Sequence, residues 1–193
     1  MERRKKNIAE LTRISRAEYR AINKLPLVVV ADNVRSMHNI GSLFRTSDAF
    51  RVSEIILCGI SGCPPHPEIS KTALGAEESV SWKHAEDTLN AVTELRNQGW
   101  KICVLEQTHG SIPLADFNLT QDSGSDSGVE VNVNNRLVLV VGNEVNGVGQ
   151  EIVDIADYVL EIPQEGTKHS LNVAASAAIA IFHLYTLLKS IED

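Results

Sequence analysis

The chain has 193 residues, 43% of them hydrophobic and 22% charged, which predicts one globular domain with a well-buried core. Its three cysteines, Cys58, Cys63 and Cys103, form no C-x-x-C pair. This argues against a disulfide framework or a zinc ribbon and predicts reduced thiols in a cytoplasmic protein. The net charge of −7 by itself argues against a nucleic-acid partner, although the distribution of the charge matters more.

Residues 1–24 form a basic N-terminal arm ahead of the domain predicted for residues 25–193. The arm holds eight of the 18 basic residues and three acidic ones, a local charge of +5, whereas the remainder carries −12. It begins Met-Glu-Arg-Arg-Lys-Lys and lacks the apolar stretch of a signal peptide. On charge alone two interpretations stay open: a solvated helical arm, or an arm that binds phosphates.

Short apolar segments predict the β-strands of the domain. The uninterrupted run Leu27–Ala31 is typical of a strand buried on both faces of a parallel sheet. Further strands are predicted at Glu54–Cys58, Ile102–Leu105, Leu137–Val141 and Tyr158–Ile162. Helix-like stretches alternate with them at Asn39–Phe50, Ala85–Gln98 and Val148–Ala156. The alternation predicts an α/β fold, a mostly parallel sheet flanked by helices.

Two later segments predict a flexible surface insertion and a contact between two copies of the chain. Asn118–Asn135 is rich in Ser, Gly, Asp and Asn, and residues 118–135 are therefore predicted to be a flexible insertion. The last helix, Leu171–Leu188, is apolar around most of its circumference but is interrupted by polar residues, which favours a buried helix over a membrane span. One sheet face cannot cover such a helix, so we expect a self-complementary homodimer contact.

Three polar, glycine-containing segments follow predicted strands, at the edge where open α/β sheets bind ligands. The first contains Asn39, a suitable helix N-cap, Gly41, which permits close backbone approach, and Arg45, one helical turn after the glycine. By itself this segment is equally well explained as a cap, a tight turn and a surface arginine.

The second and third segments are also ambiguous when taken singly. The second, Gly142–Gly149, exposes backbone amides and one carboxylate, Glu144, and matches neither a P-loop nor a dinucleotide fingerprint. The third, Ile162–Val173, has a loop glycine and Ser170, which can cap the terminal helix. It also places Asn172 in the first turn of that helix, where a buried amide needs a hydrogen-bond partner or a ligand.

Taken together, in this order and at these separations, the segments Asn39–Thr46, Gly142–Gly147 and Ile162–Val173 resemble the three motifs of the SpoU-type (TrmH-like) RNA methyltransferases of the SPOUT superfamily. The resemblance spans about Leu27–Leu188. One departure is Val145, where the family usually has glycine after the glutamate.

The resemblance implies a deep trefoil knot in the C-terminal part of the domain, and a homodimer formed through the terminal helix. It implies that S-adenosylmethionine binds in the knot and that a methyl group passes to a ribose 2′-hydroxyl of tRNA or rRNA, without a metal. The donor-binding residues that it implies are Glu106, Gln107, Thr108, Gly142, Asn143, Ile162, Gln164, Ser170 and Leu171.

The same resemblance assigns roles in catalysis. Arg45 is placed at the 2′-hydroxyl, Asn39 and Ser170 orient the arginine or the ribose, Glu144 anchors Arg45, and Asn172 orders the site. Because a guanidinium keeps its proton to about pH 12, we expect Arg45 to bind the flanking phosphate and stabilise the developing alkoxide rather than to remove a proton. His38 and His169 adjoin two of the motifs and are alternative bases.

Two other classes of protein were weighed against this interpretation. A catalytically silent RNA-binding protein would use the same scaffold, but it has no reason to keep Asn39, Arg45, Glu144, Ser170 and Asn172 together. A nucleotide-binding oxidoreductase would need a glycine fingerprint that the sequence lacks. The sequence does not distinguish tRNA from rRNA, although the family favours tRNA slightly.

Overall fold

The computed structural model describes residues 3–7, 10–11, 14–119 and 136–192. Seven strands form one sheet: β1 Leu25–Asp32, β2 Val52–Cys58, β3 Trp82–Ala85, β4 Lys101–Leu105, β5 Ile112–Pro113, β6 Leu137–Val141 and β7 Tyr158–Glu161. Their order is β3-β2-β1-β6-β4-β7-β5, and the paired strands run parallel. The predicted parallel α/β sheet is confirmed.

Within the described residues, six α-helices accompany the sheet: α1 Arg16–Ala21, α2 Met37–Ala49, α3 Pro67–Ala73, α4 Thr88–Asn97, α5 Gln150–Asp154 and α6 Val173–Glu192. Three elements have no counterpart in the predictions: β3, β5 and α3. The strand β3 lies at the edge of the sheet with half of its residues exposed, so it carries no apolar run. Ala85, predicted to begin a helix, ends this strand instead.

Alternate residues of β1 face two separate apolar layers. Leu27, Val29 and Ala31 pack with residues of α2, α3 and α6, whereas Val28 and Val30 pack with α4 and α5. The central strands are therefore buried on both faces, as the uninterrupted apolar runs predict. This burial fixes the register of the sheet, because a slip of one residue would exchange the two layers.

The terminal helix α6 is long and apolar enough to cross a membrane by length and composition alone. In the structure it contacts α2, β1 and β6, and Ala177, Ile181 and Leu184 on that side are fully buried. On its other side Ile179 and Phe182 are 47% and 52% exposed. The helix thus packs on the domain and leaves an apolar strip uncovered.

The cysteines are free thiols. Cys58 and Cys103 are buried in the sheet, and burial raises the pKa of both thiols, that of Cys58 to about 11. Cys63 is partly buried, and its pKa is also raised by burial. Such thiols are poor nucleophiles at neutral pH, which agrees with a structural role. The predicted insertion at Asn118–Asn135 lies outside the described residues from position 120 onward.

Candidate active site

The first motif, Asn39–Thr46, lies within α2, from the third to the tenth residue of the helix. Asn39 is not the N-cap, as predicted, but the third residue of the helix; the N-cap is Ser36, whose side chain accepts a hydrogen bond from the backbone N–H of Asn39. Ser36 therefore satisfies the helix end and leaves the Asn39 side chain available for other contacts. Gly41 permits a close approach, as predicted, and its neighbour is α3: a Cβ there would lie 2.0 Å from Thr72 Oγ1.

The third motif ends at the N-terminus of α6, where the cap also differs from the prediction. Asn172 Oδ1 accepts hydrogen bonds from the N–H groups of Ala174 and Ala175, at 3.0 and 3.2 Å. Asn172, and not Ser170, therefore caps this helix. Ser170 lies two residues earlier, in an exposed loop.

One side chain from each motif joins a single hydrogen-bonded network. Asn39 Nδ2 donates to Glu144 Oε1 at 2.7 Å, and Asn172 Nδ2 donates to Asn39 Oδ1 at 3.0 Å. Asn39 is only 9% exposed and is satisfied on both sides by these two contacts. Residues more than a hundred positions apart in the chain thus meet at one point, as the resemblance implies.

The second motif forms a closed loop that presents Glu144. Asn143 and Gly147 exchange two backbone hydrogen bonds of 3.1 Å, and Asn143 Oδ1 accepts from the N–H groups of Val145 and Asn146. Gly147 has φ +69°, which favours glycine. Val145, the departure from the family pattern, is at the tip of the loop and 81% exposed, so its side chain does not disturb this network.

A cavity of about 490 Å³ lies beside the network, a volume typical of small-molecule sites. Eight of the nine residues predicted to bind the donor line it, and Glu144 and Asn172 line it as well. The eight are Glu106, Gln107, Gly142, Asn143, Ile162, Gln164, Ser170 and Leu171. Thr108 is the exception: it borders a different surface depression, beyond Gln107.

Of the five predicted catalytic residues, Arg45 is the one that neither lines this cavity nor joins the network beside it. It is exposed on α2 and borders a separate groove that it shares with Arg16 and Arg51. The contact expected between Glu144 and Arg45 is absent within the chain, because Asn39 is the hydrogen-bond partner of Glu144. Arg45 forms no hydrogen bond or ion pair with the other described residues, so its guanidinium is available to an external anion.

Asp32, at the end of β1, is a site-forming residue that sequence reasoning missed. It is 4% exposed and accepts hydrogen bonds from Thr88 Oγ1 at 2.6 Å and from the N–H of Gly149 at 3.1 Å. The signal was present in the sequence, since an acidic residue directly follows the all-apolar run that ends at Ala31. A buried carboxylate at a strand end needs such donors.

The electrostatics of the network favour an ionised Glu144. Burial tends to raise the pKa of this carboxyl, but the Asn39 amide and the backbone N–H groups of Glu144, Ser36 and Arg35 donate to it, and the net result is a lowered pKa. Glu144 is therefore a hydrogen-bond acceptor near neutral pH and a poor proton acceptor.

This lowered pKa predicts how Glu144→Gln affects stability at different pH values. A carboxyl with a lower pKa in the folded state stabilises the protein above its unfolded-state pKa, and that contribution disappears as pH falls through the folded-state value. The difference in unfolding free energy between wild type and Glu144→Gln should thus be constant from about pH 6 to 8 and shrink below 4.5, the ordinary value.

Urea unfolding at each pH measures this difference, with Glu94→Gln on the exposed face of α4 as the baseline. A difference that grows as the pH falls would contradict the assigned direction of the pKa shift.

Comparison with known proteins agrees with this geometry. The model of the SpoU rRNA methylase family matches residues 26–182. The chain is 30% identical over 156 residues to the tRNA (guanosine(18)-2′-O)-methyltransferase of Aquifex aeolicus, covering 81% of this chain and 67% of that protein. It is 28% identical over 159 residues to the 23S rRNA (guanosine-2′-O-)-methyltransferase RlmB of Vibrio vulnificus, covering 81% and 58%. The chain thus spans about two thirds or less of these curated relatives.

Solved structures show the same fold. The A. aeolicus TrmH/SpoU tRNA modifying enzyme superimposes with a TM-score of 0.73 at 26% identity, covering 92% of this chain and 82% of that one. The AdoMet-bound rRNA methyltransferase from Sinorhizobium meliloti superimposes with a TM-score of 0.71 at 28% identity, covering 87% and 59%. Because the family model matches most of the sequence and its three motifs meet beside one cavity, this chain belongs to the SpoU rRNA methylase family.

Proposed function

We propose that this protein is an S-adenosylmethionine-dependent RNA methyltransferase that modifies a ribose 2′-hydroxyl of tRNA or rRNA. The observation that carries the proposal is the Asn39–Glu144–Asn172 network, which joins the three motifs at the edge of a cavity of small-molecule size. The two curated relatives described above are named for 2′-O-methylation of guanosine in tRNA and in 23S rRNA.

The cavity suits the methyl donor. Its lining is rich in backbone and neutral polar groups from three loops, including those of Gly142, Asn143, Ile162 and Leu171, which can hold an adenosine and an amino-acid moiety without a metal. S-adenosylmethionine supplies an already activated methyl group. The protein's own contribution is therefore to align a ribose oxygen with that methyl group and to stabilise the charge that develops.

The residues of the network and Arg45 have different proposed roles. Asn39, Glu144 and Asn172 hold the 142–149 loop and the loop that precedes α6 together. Ser170, which lines the same cavity, contacts the incoming ribose. Arg45 binds the phosphate beside the target nucleotide and stabilises the alkoxide through its planar pair of N–H donors.

Arg45→Lys should reduce methyl transfer by roughly 100-fold while leaving donor affinity unchanged, because lysine keeps the charge but cannot form two parallel hydrogen bonds. Single-turnover transfer and calorimetric binding of S-adenosylhomocysteine measure the two effects. Arg96→Lys, at another exposed arginine, in the last turn of α4, is the matched control. Near-normal transfer by Arg45→Lys would rule out the bidentate role.

The groove beside Arg45 provides a path for the RNA backbone. Its lining brings Arg16 from α1 together with Arg45 and Arg51, and Asp48 is the acidic residue among them. Arg16 also pairs with Glu78, and Arg20 donates to the Glu78 carbonyl oxygen at 2.7 Å, so α1 is attached to the body of the domain. The basic arm at residues 1–24 would then continue the phosphate-binding surface away from the acidic remainder of the chain.

Removing residues 1–20 should weaken RNA binding and flatten its dependence on salt, since each lost phosphate contact lowers the slope of log K against log salt by about 0.9 for a duplex or 0.7 for a single strand. Binding of S-adenosylhomocysteine should not change. Filter binding between 50 and 300 mM KCl measures the slope. An unchanged slope would show that the arm does not bind phosphates of the RNA.

Three further features are part of the proposal. The strands β4 and β5 are consecutive along the chain, but β7 lies between them in the sheet. After β7 the chain continues into α6, which packs against α2, and this path supports a C-terminal trefoil knot. The exposed Ile179 and Phe182 of α6 support a homodimer, which sedimentation equilibrium can check. The free cysteines are in keeping with a cytoplasmic protein.

Transfer of a radiolabelled methyl group into total RNA tests the function itself. A 2′-O-methyl group blocks alkaline cleavage at its own phosphodiester, so label should remain in alkali-resistant dinucleotides. Label in mononucleotides would indicate base methylation and contradict the proposal. No incorporation into RNA from cells that lack the protein would favour a silent RNA-binding protein instead.

A further inference from the structure

Two carboxylates flank the strand that leads into the second motif. In the sheet β6 lies between β1 and β4, and both Ala31 and Leu105 pair with Val141. Asp32 follows Ala31, Glu106 follows Leu105 and Gly142 follows Val141. The two carboxylates therefore occupy equivalent places on either side of Gly142. The family resemblance implies that Glu106 binds the donor, but it gives no role to Asp32 or to the two carboxylates as a pair.

The two carboxylates contact successive backbone amides of the same loop. Glu106 Oε2 accepts a hydrogen bond from the N–H of Val148 at 3.0 Å, and Asp32 Oδ2 accepts one from the N–H of Gly149 at 3.1 Å. Hydrogen bonds to ionised acceptors are stronger than those between neutral groups. The loop that follows β6 is thus held by one carboxylate from each of the two neighbouring strands, β1 and β4.

Each carboxylate is itself fixed by its second oxygen. Asp32 Oδ1 accepts from Thr88 Oγ1 at 2.6 Å and from Asn33 Nδ2 at 2.8 Å. Glu106 Oε1 accepts from the N–H of Gln107 at 2.8 Å. The carboxylate of Glu106 also packs against Gly147, where an added Cβ would lie 2.0 Å from Oε2. Neither carboxylate can therefore rotate away from the loop without losing contacts.

We propose that Asp32 and Glu106 act together as positioning residues that fix the 142–149 loop and, through it, Glu144. The double hydrogen bond between Asn143 and Gly147 makes the loop a closed unit, so the position of Val148 and Gly149 determines where Glu144 lies relative to Asn39. Glu106 thereby supports the site indirectly, although the resemblance implies that it binds the donor. The effect on catalysis rests on the proposed methyl transfer, whereas the effect on the loop does not.

Amide hydrogen exchange followed by NMR tests the positional effect. In Glu106→Ala the Val148 amide should exchange at least about tenfold faster than in wild type, because a charge-assisted hydrogen bond is lost. Glu106→Gln should retain most of the protection, since its amide oxygen can still accept. In Asp32→Asn the Gly149 amide should also exchange faster. An NH2 group replaces one of the two carboxylate oxygens there, and it cannot accept a hydrogen bond from the donors around Asp32.

Binding of S-adenosylhomocysteine and methyl transfer at saturating donor are measured on the same variants, with Glu94→Ala on α4 as the control. Glu106→Ala should lower the transfer rate by about tenfold or more, and Glu106→Gln should restore it to within about threefold of wild type. Thermal melting checks that each variant folds. If Asp32→Asn does not fold, the test rests on the two Glu106 variants, of which Glu106→Gln keeps the shape of the side chain.

Unchanged exchange at Val148 in Glu106→Ala would overturn the proposal. It would also be overturned if Glu106→Gln lost as much donor affinity as Glu106→Ala, because the carboxylate would then be a direct ligand of the donor. If the wild-type protein transferred no methyl group, the proposed function would fail, while the exchange data would still decide whether the two carboxylates hold the loop.

Discussion

Asn39→Asp is expected to reduce methyl transfer by roughly 100-fold at pH 7.5. The substitution keeps the shape of the side chain and the acceptor for Asn172, but it replaces the N–H donor that lies 2.7 Å from Glu144 Oε1 with a second carboxylate oxygen. Two unit charges about 4 Å apart repel by about 4 kcal/mol at an effective dielectric constant near 20, and the exposure of Glu144 reduces this figure. The 142–149 loop and the loop that precedes α6 should therefore separate.

The pH dependence distinguishes repulsion from a simple loss of packing. Two adjacent carboxyls raise the pKa of one of them, so a shared proton can restore an O–H···O hydrogen bond as the pH falls. The ratio of mutant to wild-type transfer rates should accordingly rise between pH 7.5 and 5.5. Single-turnover rates measure this ratio.

Asn90→Asp provides the matched control for the change in charge. Asn90 is exposed on α4, and its side chain makes no hydrogen bond with the part of the chain that the structure describes. Its rate should match wild type across the same pH range. A rate for Asn39→Asp within threefold of wild type at pH 7.5 would mean that the network does not support catalysis.

Gly142→Ala is expected to destabilise the protein by about 1–3 kcal/mol and to abolish measurable donor binding. A Cβ at this position would lie 2.0 Å from the carbonyl carbon of Gly147 and 2.2 Å from the nitrogen of Val148. Both are backbone atoms of the closed loop, so no side-chain rotation can relieve the clash. The loop must move away from β6 and lose its contacts with Asp32 and Glu106.

Urea unfolding and calorimetry with S-adenosylhomocysteine measure these two effects. Gly166→Ala is the matched control, because a Cβ there meets no atom within 4 Å and the loop also belongs to the third motif. Gly166→Ala should keep wild-type stability. Donor binding by Gly142→Ala within about tenfold of wild type would show that the 142–149 loop is not a wall of the donor site.

The apolar strands were predictable because uninterrupted runs of apolar residues indicate burial directly. Leu137–Val141 matches the observed β6, and β1 extends the predicted Leu27–Ala31 by two residues at the start and one at the end. The predicted ends of the helices were less accurate. Ser36 and Asn172 are the caps, although Asn39 and Ser170 have equally suitable side chains, and only the packing of α2 and α6 decides which residue is used.

The site was predictable in its parts but not in its connections. Sequence order placed three polar loops at the same edge of a parallel sheet, and eight of nine predicted donor residues line one cavity. The position of Arg45 was not predictable from its spacing alone. Arg45 lies six positions after Asn39 on the same helix. This spacing turns the two side chains onto different faces, one toward Glu144 and the other toward a groove shared with α1.

The sequence by itself determined the α/β class, the buried strands and the family, because burial periodicity and motif spacing are local properties of the chain. The tertiary structure alone decided that Asn39 rather than Arg45 contacts Glu144, and that Asp32 and Glu106 hold the loop between them. The physical reason is strand order: β6 inserts between β1 and β4. Hydrogen bonds between residues more than forty positions apart depend on that insertion, and no local pattern encodes it.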